Sequence, residues 1–332
     1  MKESGKNNNI LAKKIPKIVK EIQKATPQPV NYAYQKGISY SQMSLFNSCP
    51  HRWKLQYKDR IKVFTSSIHT VFGTAIHETI QHYLNVMYSN SGAEADRLDL
   101  EEIFQGKFVD EYKAQYNSNN KQHFSSAEEM REFFEDGVEI LNWLKKKKSR
   151  YFSKRGWYLV GCEVPIVINP NKMYSNVLYN GFLDIVLYHE PTNTFKIIDI
   201  KTSTNGWRDK EKKDENKLAQ LILYKHFFSE QYNIPIDSIS IEFFIVKRKV
   251  LKWDDENILS PHQAYRVQTF IPASGKIKIS KAKSLLDSFI KKCFTTDGEV
   301  REEEYPKIVS KWNCNFCPFK EDKKNCGEGI IF

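Results

Sequence analysis

Apolar and polar positions repeat with a helical period in the first half of the chain and with a strand-like period in the second. In "VFGTAIHETIQHYLNVMY", residues 71–88, the apolar positions Ile76, Ile80, Tyr83, Leu84 and Met87 recur every three or four residues and predict a strong helix. Upstream, "ISYSQMSLFNSCPHRWKLQY" predicts a helix capped by Ser39 or Ser41, with Leu45, Phe46 and Trp53 on its apolar face and Pro50 disturbing it. "SNSGAEADRLD" predicts a loop, and helical text runs from about 99 to 149. The period then changes. "YLVGCEVPIVI", "YNGFLDIVLY" and "FKIIDIKTS" predict three strands, with the turn "HEPTNT" between the last two. "KLAQLILYKHFFSEQY" predicts a helix, "SISIEFFIVKRKV" and "QAYRVQTFIP" two more strands, and a helix opens at Ser280. The order implies an α/β core with a mixed central sheet. Residues 1–36 mix lysines with a short amphipathic stretch broken by Pro16, and predict a basic, mostly disordered arm with at most one short helix.

Composition narrows the class. The chain has 332 residues, enough for a sizeable core, and its formal charge of +11 favours a polyanionic partner. No apolar run reaches membrane-spanning length and the N-terminus lacks the apolar stretch of a signal peptide, so a cytoplasmic, reducing location without membrane contact is expected. Six cysteines are too few for a disulfide scaffold in a chain this long, and clustered thiols in a reducing compartment point to metal.

The candidate chemistry lies on the two strands flanking "HEPTNT". Alternation puts Phe195, Ile197, Asp199 and Lys201 on one face, with the charged pair ending an otherwise buried run. The turn makes a hairpin, which places Asp184 at the equivalent depth on the partner strand. Two carboxylates and an ammonium at one sheet edge suit metal-assisted phosphodiester hydrolysis, with hard oxygen ligands for Mg²⁺ or Mn²⁺. In isolation, D-x-K is more often a buried ion pair, and His77, Gln220 and Tyr224 are each more often packing residues.

The ordered set is more specific. Gly73 with His77, Gly181 with Asp184, Asp199 with Lys201, and Gln220 with Tyr224 reproduce G-x-x-x-H, G-x-x-D, D-x-K and Q-x-x-x-Y. In this order the chain resembles RecB-type nucleases of the PD-(D/E)xK family, over roughly residues 38–328. The resemblance implies a restriction-endonuclease-like core with a mixed central sheet flanked by helices. It implies that residues 37–332 form a single nuclease domain with a helical insertion at 90–150. It also implies that His77, Asp184, Asp199 and the carbonyl of Ile200 hold the metal, that Lys201 is the catalytic lysine, and that Gln220 and Tyr224 position DNA or Lys201. Glu163 matches a recurrent acidic position and is not expected to be catalytic.

The same resemblance accounts for the cysteines. Iron–sulfur members such as AddB and the CRISPR-associated RecB-like exonuclease hold a [4Fe–4S] cluster with one cysteine before the core and three after it. Here those would be Cys49, Cys314, Cys317 and Cys326, so that the segment 310–328 joins Cys49. Zinc suits four cysteines equally well by ligand type. Cys162 and Cys293 read as ordinary buried thiols.

Basic and aromatic text supplies candidate nucleic-acid contacts at Lys145, Lys146, Lys147, Lys148 and Arg150, and at Trp207 and Arg208 after the D-x-K strand. The alternative for the lysine run is a solvated helix end. The expected function is a metal-dependent DNA exonuclease on single-stranded ends, in repair, recombination or replication. The chain carries no P-loop motif, so a helicase or other recombination protein would supply any unwinding. The competing readings are a catalytically silent nucleic-acid-binding subunit of the same fold and an iron–sulfur electron carrier.

Overall fold

The computed structural model describes residues 15–251 and 264–326. Its centre is a six-stranded sheet. β2 (Trp157–Ile168), β3 (Val177–His189) and β4 (Thr194–Ser203) form an antiparallel meander. β5 (Ile239–Lys247) lies parallel to β4, and β6 (Val267–Phe270) pairs antiparallel with β5. The predicted hairpin forms, closed by a short turn in which Asn193 takes the left-handed conformation at φ 52°. Parallel pairing of β4 with β5 needs a crossover, supplied by α9 (Glu215–Tyr232).

Helices cover both faces. One face of the sheet buries α1 (Lys17–Lys24), α2 (Tyr40–Ser48), α9 and α10 (Lys276–Cys293). The other buries α4 (Ile68–Ser89), α5 (Gly92–Arg97), α6 (Leu100–Ser118) and α7 (Ala127–Lys147). The helical insertion is therefore a packed layer, held by a Phe72–Phe104–Phe133 ring cluster. Ser39 is the cap of α2, accepting from the Gln42 amide. Pro50 does not spoil that helix. It opens the four-residue α3 (Pro50–Trp53), where its missing N–H costs nothing.

Further expectations change. The stretch "SNSGAEADRLD" is not all loop, because Ser91 caps the short helix α5 by accepting from the Glu94 amide. The arm is not peripheral throughout: α1 starts straight after Pro16 and buries Val19 and Ile22, and Gln23 donates to the Val160 carbonyl at 2.9 Å. Residues 1–14 of that arm lie outside the described residues. The last long helix begins at Lys276 rather than at Ser280. A short strand that the pattern did not announce, β1 (Lys36–Ile38), pairs parallel with Val177–Tyr179 of β3.

Candidate active site

The site occupies a break in the sheet. β3 and β4 run in register as far as Ile185 opposite Ile198, and there they part. Tyr179 pairs with β2 on one side and with β1 on the other, so β1 lies on the same edge of β3 as β4. Residues 180–184 face the gap between β1 and β4.

Asp184 and Asp199 stand where the strands separate. Asp184 Oδ2 accepts the Ile200 amide at 2.7 Å, so a carboxylate replaces the strand partner that this N–H lacks. His77, midway along α4, brings Nδ1 to 3.7 Å from the same oxygen. Asp199 is only 1% exposed. Its Oδ2 lies 2.8 Å from the Lys201 ammonium, while its buried Oδ1 has no hydrogen-bond partner among the described residues. Lys201 Nζ also donates to Gln220 Oε1 at 2.9 Å, and Gln220 Nε2 donates to Tyr224 Oη at 3.4 Å. All the residues of the four sequence motifs thus meet at one place.

The motif glycines have a steric reason. A Cβ on Gly181 would come within 2.9 Å of the Tyr224 ring, so bare backbone is what lets that ring lie against β3. A Cβ on Gly73 would meet Thr202 Oγ1 at 3.2 Å, a tight approach of α4 to β4. Gly181→Ala is expected to destabilise the protein by about 1–3 kcal/mol and to slow turnover, because displacing Tyr224 loosens Gln220 and the ammonium it holds. Thermal denaturation and initial rates check this, and an unchanged melting temperature contradicts it.

Electrostatics show what the cluster lacks. Burial, and next the charge of Asp199, push Asp184 well above the usual carboxylate range. Burial raises Asp199 too, with Lys201 opposing. Burial works against the charge of Lys201, but the two aspartates outweigh it and its pKa rises. Burial first and Lys201 second push His77 down to about 4, against the pull of the Ile200 backbone, so the ring is neutral near pH 7. Two crowded carboxylates, a buried oxygen without a partner and a neutral imidazole are what a divalent cation would satisfy. The donor set fits such an ion, although among the described residues no three His, Cys, Asp or Glu side chains stand close enough to grip one as placed.

The comparison with family models agrees with this geometry: the PD-(D/E)XK nuclease superfamily model matches residues 37–321. The chain belongs to the PD-(D/E)XK nuclease superfamily. No curated protein matches it. Membership of this superfamily carries with it a metal-dependent nuclease, with divalent ions such as Mg²⁺ or Mn²⁺ and DNA as substrate.

Two residues of this PD-(D/E)XK nuclease, Gln81 and Tyr40, join the site without having been singled out for it, and Glu163, noted only as an acidic position matching the family, joins them. Gln81, one turn beyond His77 on α4, donates to Glu163 Oε1 at 2.6 Å and to the Asp184 carbonyl at 3.1 Å. Glu163 takes a left-handed backbone at φ 52°, and its charge adds to the upward push on Asp184. Tyr40, the first residue of α2, feels the charges of both Lys201 and Asp199. The H-x-x-x-Q spacing could have disclosed Gln81, since such residues share a helix face. Nothing local could have disclosed Tyr40.

The expected nucleic-acid contacts divide. Trp207 is a correction: it is 8% exposed, packs on Phe243 and Phe270, and has Lys217 over its ring, so it belongs to the core. Arg208 is exposed at the start of α8 (Asp209–Lys213). In the lysine run, Lys145 donates to the Leu98 carbonyl and Lys148 to both oxygens of Asp96, so these two tie α7 to α5. Arg150 stacks on Tyr265. Lys146 and Lys147 point outward, exposed.

Cys49, Cys314, Cys317 and Cys326 line one small cavity, with Arg52 beside them. The buried Arg52 Nε has no hydrogen-bond partner among the described residues. Burial raises the Cys317 thiol, and Arg52 pulls it down. Hydrogen bonds stitch the two chain regions together around the cavity: Asn313 donates to the Ser48 carbonyl and His51 to the Asn325 carbonyl, each at 2.8 Å. Four thiols and a guanidinium whose Nε has no partner among the described residues suit an anionic thiolate centre. Residues 327 and 328 of the expected segment lie outside the described residues. Cys162 and Cys293 stand apart from this cavity, and burial raises both thiols, Cys162 to about 12. Among the described residues no helix is long and apolar enough to cross a membrane.

Proposed function

We propose that the protein is a Mg²⁺- or Mn²⁺-dependent DNA exonuclease acting on single-stranded ends, with Asp184, Asp199, His77 and the Ile200 carbonyl holding the metal and Lys201 as the catalytic cation. The observation that carries the reading is the buried Asp184–Asp199 pair, two carboxylates beside the single fixed ammonium of Lys201. A divalent ion bound there supplies Lewis acidity and a water of lowered pKa. Lys201 stays protonated because the aspartates raise its pKa, so it serves as a donor to a phosphate oxygen rather than as a base. Gln220 and Asp199 fix its direction, so little reorganisation is needed when charge develops on the phosphorane. Neutral His77 keeps a nitrogen lone pair for the metal.

The cavity of Cys49, Cys314, Cys317 and Cys326 is proposed to hold a [4Fe–4S] cluster, with zinc as the alternative that metal analysis separates. Work in repair, recombination or replication beside a helicase is the setting that such a nuclease would suit. The test is degradation of 5′- and 3′-labelled single and double strands with Mg²⁺, Mn²⁺ or chelator. Metal-dependent release of short products from one end of single strands supports the reading. Binding without any cleavage would leave a silent DNA-binding subunit.

Lys146 and Lys147 are the members of the lysine run expected to meet phosphate. Replacing both with glutamine is expected to lower the log–log salt slope of single-strand binding by roughly 1.4, about 0.7 for each. Replacing Lys145 and Lys148 is expected to reduce stability instead, because they hold α5. A salt titration of affinity with parallel melting curves separates the two pairs.

A further inference from the structure

The cysteine segment turns two aromatic rings away from its thiols. Trp312 is 74% exposed and Phe316 is 85% exposed. They sit four residues apart on α11 (Lys311–Cys314) and the turn after it, a spacing that puts side chains on one side. Neither ring helps to form the core, and the two together form an open aromatic patch. The surroundings are basic. Between 311 and 324 there are four lysines against two acids. Lys210 of α8 holds its ammonium 3.0 Å from the centre of the Trp312 ring.

This face is continuous with the candidate active site. α8 follows directly on the strand of Asp199 and Lys201, and α9, which carries Gln220, begins just after it. Asn216 in the first turn of α9 donates to Ser44 of α2, and Asn313 next to Trp312 donates to Ser48 at the end of α2. α2 therefore runs from Tyr40, which lies within electrostatic reach of Lys201, to the cysteine segment. From Tyr40 to Ser48 its axis covers about 12 Å, roughly the rise of four stacked nucleotides.

We infer that Trp312 and Phe316, with Lys210 and Arg208, form a stacking platform for unpaired bases of the strand whose end lies in the active site. The inference rests on the nuclease reading for its substrate. Planar rings edged by cations match single-stranded nucleic acid, since each base offers a face to a ring and each phosphate a charge to a lysine. A protein partner would meet the same rings, but the net positive edge and the direct path to Lys201 favour a polyanion. Duplex DNA keeps its bases stacked on one another and gains nothing from the rings.

The test measures the affinity of the full chain, in a Lys201→Ala background that prevents degradation, for labelled oligothymidylate and for a duplex. Trp312→Ala is expected to weaken oligothymidylate binding about tenfold, and Phe316→Ala by a similar factor. Trp312→Phe should stay within about threefold of the parent, because a ring remains. Duplex affinity should not change. Melting curves and metal content are followed for each variant, and the highly exposed Phe316 serves if Trp312 variants fold poorly. Unchanged oligothymidylate affinity in both alanine variants overturns the platform. So does an equal loss for single strand and duplex, or dispersal of a self-associated species with affinity intact, which would assign the face to a second copy. Cleavage by the chain with Lys201 intact is scored separately. If it cleaves nothing while Trp312→Ala still loses single strands, the nuclease reading falls and the platform stands.

Discussion

Asp199→Ala is expected to abolish cleavage, by a factor on the order of 10³ or more, and Lys201→Ala to cut it nearly as far. The two losses should differ in metal binding. Asp199 brings a buried oxygen without a partner to the site, so its removal should also remove metal affinity. Lys201 is a cation beside two carboxylates, and taking it away relieves competition with a metal ion. Lys201→Ala should therefore bind Mn²⁺ at least as tightly as the parent while remaining inactive. Isothermal titration with Mn²⁺ reads one property and end-label release reads the other. A ligand binding only the folded state raises its stability with concentration, so Mn²⁺ should raise the melting temperature of Lys201→Ala but not of Asp199→Ala. If both variants cleaved at the parent rate, the hairpin would be ordinary core.

Cys49→Ser is expected to give the largest loss of stability, with loss of bound iron and of the broad absorbance near 400 nm typical of thiolate-bound iron. The cavity joins chain regions far apart in sequence, as the Ser48–Asn313 hydrogen bond across 265 positions shows. In the chain-entropy account, cross-linking a loop of that length restricts the unfolded chain by about 5 kcal/mol. A loss of that size lowers the melting temperature by roughly 10 °C in a chain this long. Cys162→Ser should keep iron and melting temperature, since its thiol lies on β2 away from the cavity. Anaerobic preparation with iron and zinc analysis checks all of this. Zinc without iron would replace the cluster with a zinc site, and full iron content in Cys49→Ser would remove that residue from the ligand set.

The strands, α4 and α9 were legible because burial on a sheet face or a helix stripe writes its own period. The motif residues were legible for a different reason: their order is specific although each alone is weak, and the structure brings His77, Asp184, Asp199, Lys201 and Gln220 to one place. What escaped was tertiary. β1 is only the three residues Lys36–Ile38, too few for a period, and it exists because β3 offers an open edge. Val19 and Ile22 could not be told from surface residues until β2 was there to cover them. Trp207 sits in text as polar as any DNA-binding loop, yet Phe243 and Phe270, distant in sequence, draw it inward. Lys145 and Lys148 look like Lys146 and Lys147 until Asp96 on α5 and the Leu98 carbonyl just beyond it claim them. Tyr40 and Arg52 carry no pattern at all, because only the folding of α2 and α3 against distant partners gives them a role.

The pairing of β1 with β3 also sets a timetable. Lys36 is made well before its partner Val177, and at about 5–20 residues per second the wait is on the order of ten seconds. Gln220 and Tyr224 follow later still, and Asn313, which fastens α2, later again. Closing such distant contacts is slow, because the chain must lose its freedom before any of them repays the loss. A chain made only as far as Lys201 carries Asp184, Asp199 and Lys201 without the Gln220 amide and the Tyr224 ring that complete their hydrogen-bond chain. The candidate site therefore assembles only once segments far apart in the chain have met, so its formation reports folding of the whole domain.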